Sequence, residues 1–518
     1  MKAPISWLQD FVKIDIPAEA LADKLVHAGF EVEEIIREAD AIKNVVTGRV
    51  LAMERHPNSD HLWICQINVK TATLQIVTGA QNVQVGDIVP VALDGAVLPG
   101  GKRIFNGELR GAKSLGMLCS GSELGLTDAD YEGADVDGIL ILKPDTKVGV
   151  DINEILGRTD VILDVSVTAN RPDCNSIWGI AREVGAVLHK TVKAPVTSYT
   201  ATPERIFNLL DVQVADADLC PRYMAKAVKN IKICESPKII KDRLRAVGIK
   251  PINNIVDITN YILIELGQPM HAFDYEKIAG HRIVVRRAEE GETITTLDNT
   301  THNLDNDVLV IADAEKPLAV AGIMGGLDSG ISDDTHTIIF ESAKFARDNI
   351  RRTSRKLNLK SDSSARFEKG IDFLSQAIAI DRALTLIQTN GWGTIISGTI
   401  DTNMNAVKPR TLTVPYKKIN NILGIKVPTE KMVEILNSLQ IKTVVKGKRL
   451  ECQIPAYRED IEGANDLAEE IIRLYGYNKI KSTLFADASK QTMGGRDAFR
   501  TKEDLLKRIL TAKGANEI

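Results

Sequence analysis

Between residues 41 and 150 the chain breaks into short apolar runs, and this constrains its architecture more than any other feature. VVTGRVLAMERHP, HLWICQINV, TLQIVTGA and DIVPVALDGAVLPGG are separated by Gly, Asn and Pro turns and read as strands. Several short strands at such close spacing predict a small β-barrel of the OB-fold kind. The flanking sequence differs. A helix is predicted to start near Pro17, with Leu21, Leu25 and Val26 on its apolar face and Gly29 just past its end. His27, in the last turn, reads as a partner for the helix dipole. Beyond the strands, ILDVSVTANRPDCNSIWGIAREVGAVL (162–188) returns to a strand followed by a helix.

The remaining chain divides further, giving a multidomain α+β chain. The polar stretch 190–204 carries two prolines and no helical period, and reads as a linker. Residues 205–405 mix strands and helices, including the helix ESPKIIKDRLRAVGI. A second break is expected at 406–410, then a small α+β unit to residue 482. Residues 486–497 read as a loop, and the last segment as one basic amphipathic helix whose abrupt stop predicts further chain. A length of 518 residues with 44% hydrophobic content suits three or four domains.

A formal charge of −4 argues against a globally basic nucleic-acid binder, so RNA contact must come from local patches. Lys102, Arg103, Arg110 and Lys113 are the cations named for that role. A solvated rim explains them equally well, because Trp63 and Phe105 offer few stacking surfaces. The six cysteines form no CxxC pair and predict reduced, buried thiols. His56 and His61 flank a turn and are assigned no chemistry. No run approaches the roughly 18 apolar residues of a membrane span, which predicts a soluble, cytoplasmic chain.

Four carboxylates, Asp460, Asp466, Glu469 and Glu470, crowd the start of one helix in PAYREDIEGANDLAEEIIRLYGY (455–477). Asn465 is the expected N-cap, and Leu467, Ile471 and Leu474 the buried stripe. Hard oxygen ligands in such a group suit Mg²⁺ or Ca²⁺. Acids in a first turn also complement the helix dipole, and Glu469 with Arg473 is an ordinary i, i+4 pair. Spacing alone favours this second account. Elsewhere, Glu341 follows the apolar strand TIIF and reads as a carboxylate paired with Arg351 or Arg352. His271 stands between apolar residues, as core histidines do, and Gly322 and Gly325 read as a tight turn. There is no Ser-His-Asp or Cys-His set, and no GxxxxGK[ST] loop for ATP.

The wording of these segments goes further. HPNSDHLWICQINV, KSLGMLCSGSELGL, NNIVDITNYILIELGQPMHAFD, LAVAGIMGGLDSGISDDTHTIIFESAKF, KLNLKSDSSARFEKGID and the acidic helix together resemble, in order along the whole chain, the beta subunit of bacterial phenylalanyl-tRNA synthetase. The resemblance implies a small α/β first domain (1–40 and 151–190) split by an inserted OB-fold tRNA-binding module (41–150). It also implies a mixed α/β editing domain (205–405), a small α+β domain with the acidic helix (406–482), and at 483–518 the truncated start of a catalytic-like domain. It makes Asp460, Asp466, Glu469 and Glu470 magnesium positions. It places Glu341, His271 and Thr259 in an editing site that hydrolyses tyrosyl-tRNA(Phe), with Gly322, Gly325, Ser361 and Ser363 lining the pocket. ATP-dependent attachment of phenylalanine then belongs to an alpha subunit, two of each subunit assembling on tRNA(Phe), with no membrane or DNA partner. A tRNA-binding scaffold without hydrolysis and a free-standing editing hydrolase are the two rival readings.

Overall fold

The polypeptide begins and returns in one sheet. Strand Val161–Val165 lies between Lys2–Pro4 and Val32–Arg37 and is antiparallel to both. The Met1 ammonium donates to Val165 O (2.6 Å) and to Asp164 Oδ1 (3.1 Å), fastening the start of the chain to a residue 164 positions away. The computed structural model describes residues 1–128, 130–402, 410–482 and 498–517, so all but Arg410 of the break expected at 406–410, and the loop at 486–497, lie outside the described residues. Two compact units are present, Met1–Tyr475 and Gly476–Ile518.

In the first unit, helix Ala18–His27 starts after Pro17 and buries Leu21 and Leu25, while Val26 is 51% exposed, so its apolar stripe is narrower than expected. Helix Ile177–Leu188 is capped by Ser176, whose Oγ accepts from Gly179 N (3.0 Å). It buries two charged residues, Arg182 and Glu183, along with its apolar ones.

The residues between these elements form an antiparallel six-stranded sheet. Its order is Met117–Leu118, Ile88–Leu98, Lys43–Arg55, Trp63–Asn68 and Thr73–Thr78, with Lys102–Ile104 also paired to Ile88–Leu98. A bulge between Val50 and Ala52 bends the longest strand. The sheet is a half-barrel, open between Met117–Leu118 and Thr73–Thr78. Met117–Leu118 is too short to sustain a ladder, and the gap is spanned by Leu115 N–H to Gln75 O (2.8 Å) and Val77 N–H to Ser114 Oγ (3.0 Å).

A second six-stranded sheet positions the candidate site. Its order is Thr202–Arg205, Thr394–Ser397, Arg222–Lys229, Thr337–Lys344 and His271–Asp274, with Ile400–Asp401 also paired to Arg222–Lys229. Thr202–Arg205 overlaps the end of the stretch 190–204 read as linker. The sequence TPER hides it because an edge strand needs no apolar alternation. Side chains alternate across a strand. Met224, Val228, Ile338 and Phe340 therefore pack with helices Asn254–Leu266 and Ser375–Asn390. Tyr223, Ala225, Ile339 and Ala343 share the opposite core with Val285, Val310 and Val320 of a five-stranded sheet. Glu341, between Ile339 and Ala343 in that alternation, falls on this second face.

Strands Arg410–Pro415, Arg449–Ile454 and Lys442–Lys446, with Arg449–Ile454 central, pack under helices Thr429–Ser438 and Ala464–Tyr475. In the second unit, helix Ala498–Ala512 exposes Phe499, Leu505, Leu506, Ile509 and Leu510. Among the described residues no helix is long and apolar enough to cross a membrane. All six cysteines are free thiols; five are buried, and Cys234, contrary to expectation, is exposed.

Candidate functional site

Strands His271–Asp274 and Thr337–Lys344 pair so that His271 lies directly opposite Glu341. On the other side, Ala225 opposes Glu341 and Tyr223 opposes Ala343. The two-residue period puts His271, Glu341 and Tyr223 on one face. Each carries a buried polar atom without a hydrogen-bond partner: His271 Nε2, Glu341 Oε1 and Tyr223 OH. Buried polar groups are nearly always paired, so three orphans on adjoining positions mark a place built for something else. Glu341 is 5% exposed and is not the surface ion pair its sequence suggests; Arg351 and Arg352 are exposed and form no bridge to it.

Burial sets the protonation states. It pushes the Glu341 carboxyl up from 4.5 to about 8 and the His271 imidazole down from 6.5 to about 4. Burial also raises the Tyr223 phenol, with the Glu341 charge adding to the effect. Near neutral pH the site therefore holds a neutral imidazole and a carboxyl that is mostly protonated. The His271 ring stands edge-on to Phe273, with centroids 4.5 Å apart.

His271 and Glu341 line a cleft of about 60 Å³, together with Gly322, Gly325, Ser363 and Phe367. That volume admits a few waters. Gly322 has φ +69°, and a Cβ there would sit 2.8 Å from the Phe345 ring. A Cβ on Gly325 would sit 2.7 Å from His271 Cε1, so glycine is what lets this backbone approach the imidazole. Ser361 and Thr259 do not line the cleft. Ser361 caps helix Asp362–Phe367 in a capping box with Ser364, and its hydroxyl donates to Ile323 O (2.6 Å). The Thr259 hydroxyl donates to Val256 O (2.7 Å) inside its own helix. Tyr223 was not anticipated from sequence: in RYMAKAVK nothing distinguishes a core tyrosine from a functional one.

The acidic helix, Ala464–Tyr475, starts one residue before the expected N-cap Asn465. Asp466 reaches back to accept from Gly463 N and Glu462 N, both at 2.8 Å, and so caps the helix. Arg458 donates twice to Asp460 (2.9 Å each) and once to Glu470 (2.8 Å). Arg473 donates to Glu470 (3.0 and 2.6 Å) and to Glu183 (2.8 Å), and Arg171 donates to Glu183 (2.6 Å) and Asp173. Three guanidiniums and four carboxylates thus alternate, and the expected Glu469–Arg473 pair does not form. Glu469 is exposed. The magnesium expectation for Asp460, Asp466, Glu469 and Glu470 does not fit: Glu470 already faces two guanidiniums, and an ion there would face them too. Among the described residues, the one set of three or more ligand-type side chains with converging atoms is Asp173, Cys174 and Glu183, and Arg171 occupies it.

The four cations named for RNA are all exposed. Lys102 is partly neutralised by Glu123 (3.1 Å), and Arg110 bends a hairpin at φ +49°. His56 is structural, its Nε2 3.0 Å from Leu109 O.

Three segments of this architecture match known families. Residues 45–151 match a putative tRNA binding domain, 219–391 a B3/4 domain, and 412–477 a tRNA synthetase B5 domain. Fold and site therefore define a chain of the aminoacyl-tRNA synthetase class, with the cleft inside its B3/4 segment. Over 519 residues it is 46% identical to the phenylalanine–tRNA ligase beta subunit of Clostridium acetobutylicum, covering all of this chain and 65% of that one. The corresponding subunit of Clostridium tetani is 45% identical over the same shares. Over its whole length the chain is similar to phenylalanine–tRNA ligase beta subunits, and it spans about 65% of the length of these curated relatives. A solved N-terminal fragment of the phenylalanyl-tRNA synthetase beta-subunit from Pyrococcus horikoshii is 18% identical, with a TM-score of 0.34 over 62% of this chain and 88% of that one.

Proposed function

We propose that the chain binds tRNA, hydrolyses tyrosine wrongly attached to tRNA(Phe) at the His271–Glu341 cleft, and supports ATP-dependent attachment of phenylalanine by an alpha subunit. The observation that carries this reading is the buried, unpartnered Glu341 carboxyl directly opposite His271. An apolar pocket that admits phenylalanine rejects an added hydroxyl only about a hundredfold, so a second site that prefers the hydroxyl is needed. The Glu341 carboxyl can donate to, and accept from, a phenol. Phenylalanine in the same place leaves it unpaired, at about 1–3 kcal/mol, or roughly 5- to 150-fold in selectivity.

His271 supplies the other half. A neutral imidazole with a free nitrogen accepts a hydrogen bond from water and holds it against the ester carbonyl. Its low basicity makes it a positioning group more than a proton sink. The water oxygen bonds to the carbonyl carbon, the bond to the ribose oxygen breaks, and the water's proton ends on that oxygen, releasing tyrosine. An aminoacyl ester is already activated, so positioning suffices. Gly322 and Gly325 keep the backbone close to the ligand, and Ser363 lines the wall. Ser361 acts through the cap it forms, and Thr259 through its helix.

In this reading Arg103, Arg110 and Lys113, with the partly neutralised Lys102, meet RNA phosphates. Two alpha and two beta subunits assemble in the cytoplasm, and Mg²⁺ enters with the ATP bound by alpha. The cleft must widen to take a tyrosyl side chain. One that stays closed leaves the rival scaffold reading, tRNA binding without hydrolysis. The test is a structure with 3′-(L-tyrosyl)amino-3′-deoxyadenosine, which carries an amide in place of the ester. The phenol oxygen is expected within hydrogen-bonding distance of Glu341. An analogue bound elsewhere, or with its phenol pointing to solvent, overturns the assignment.

A further inference from the structure

A second cavity, larger than the one at His271, lies in the same unit. It measures about 640 Å³ and lies where helix Ile177–Leu188, the turn at 371–374 and the sheet Arg410–Pro415, Lys442–Lys446, Arg449–Ile454 come together. It shares no lining residue with the His271 cleft. Its size falls in the range of small-molecule sites.

One side chain in it is out of place for a purely structural wall. The Arg182 guanidinium is clamped between the rings of Trp178 (3.8 Å) and Tyr457 (3.9 Å). The residue is 8% exposed, makes no hydrogen bond or ion pair with any described residue, and leaves Nε buried and unpartnered. The other buried arginines nearby, Arg171, Arg458 and Arg473, each hold carboxylates. With both faces of Arg182 covered by rings, only its in-plane N–H groups remain, and these match the paired oxygens of a phosphate or carboxylate.

The other charges narrow the choice. Lys344 is satisfied by Ile371 O (2.7 Å) and Glu459 (2.9 Å), and Arg410 by Arg458 O (2.9 Å). Lys442, exposed at the rim, has no partner among the described residues. Two cations are left over, facing a wall that includes Phe373, Ile454 and Pro455. A single carboxylate would engage Arg182 and leave Lys442 and the flat apolar wall unused. We propose that this cavity binds a nucleoside phosphate, its phosphate on Arg182 and Lys442 and its base against Phe373 and Pro455. Asp372, also lining the cavity, offers a carboxyl to a sugar hydroxyl or a base N–H. The same group can arrive as a free nucleotide or as an unpaired nucleotide of bound RNA.

Calorimetric titration of the chain with AMP tests this, with inorganic phosphate and a short single-stranded oligoribonucleotide as comparators. One AMP per chain is expected. Arg182→Gln should weaken it about tenfold or more. Lys442→Gln, at an exposed position where folding is not at stake, should weaken it roughly threefold and reduce its salt dependence. Displacement of AMP by the oligonucleotide identifies RNA as the source, and AMP binding without such displacement identifies a free nucleotide. The proposal is overturned if AMP does not bind, if phosphate alone binds as tightly as AMP, or if both variants bind AMP like the parent chain.

Discussion

Replacing Glu341 by glutamine is expected to make the chain more stable as pH rises, and replacing it by alanine to make it less selective. The Glu341 carboxyl is buried without a partner for Oε1, and its pKa rises from 4.5 to about 8. For an acid raised in the folded state, stability is complete below the unfolded pKa and is lost as pH climbs through the folded one. The parent chain should therefore lose stability from about pH 4.5 to about pH 8, by on the order of 3 kcal/mol at pH 7. Glutamine carries no titrating proton and should remove that slope. Denaturant unfolding at pH 5, 7 and 9 reads the difference, with the variant gaining on the parent as pH rises. Glutamine still offers the phenol a C=O and an N–H, so selectivity is read with Glu341→Ala, in which hydrolysis of tyrosyl-tRNA(Phe) should fall toward the rate for the phenylalanyl ester. Parallel pH profiles for parent and variant would mean that Glu341 has a partner after all.

The second large effect lies in the arginine–carboxylate chain. Glu470→Gln leaves Arg458 and Arg473 buried with one fewer negative charge between them, at about 3–5 kcal/mol for a broken buried pair. Glu469→Gln, on the exposed side of the same helix, should stay within about 0.5 kcal/mol. The flanking guanidiniums hold Glu183 down at about 2 and Glu470 well below the usual carboxylate range, against the opposing effect of burial. Such acids stabilise fully above the unfolded pKa near 4.5, and the contribution is lost as pH falls below it toward their lowered folded values. Melting in EDTA should match melting in magnesium, because guanidiniums already hold Asp460 and Glu470. A magnesium-dependent rise in melting temperature that Glu470→Gln abolishes would restore the metal reading.

These two predictions also show where the sequence was legible. The short runs at 41–150 announced a small strand-rich unit, since turn residues and alternation are local signals. Closure was not visible, because it depends on whether Met117–Leu118 can pair with Thr73–Thr78 across some forty residues. Glu341 could be placed on a strand from TIIF, but the residue opposite it could not be read. That residue, His271, lies seventy positions away and meets it only through strand register. The four acids at 460–470 looked like ligands because helical spacing brings them near one another. What the spacing conceals is that Arg171 and Glu183, nearly three hundred residues earlier, complete a charge network with Arg473. Arg182 gave no signal at all: that its guanidinium makes no hydrogen bond emerges only once Trp178 and Tyr457 close over it.

Deacylation of tyrosyl-tRNA(Phe) by the purified chain, with and without an alpha subunit and with phenylalanyl-tRNA(Phe) as control, tests the central claim most directly. The His271–Glu341 cleft predicts loss of the tyrosyl ester well ahead of the phenylalanyl ester. Both esters surviving at the rate seen in buffer, or disappearing at equal rates, would contradict it.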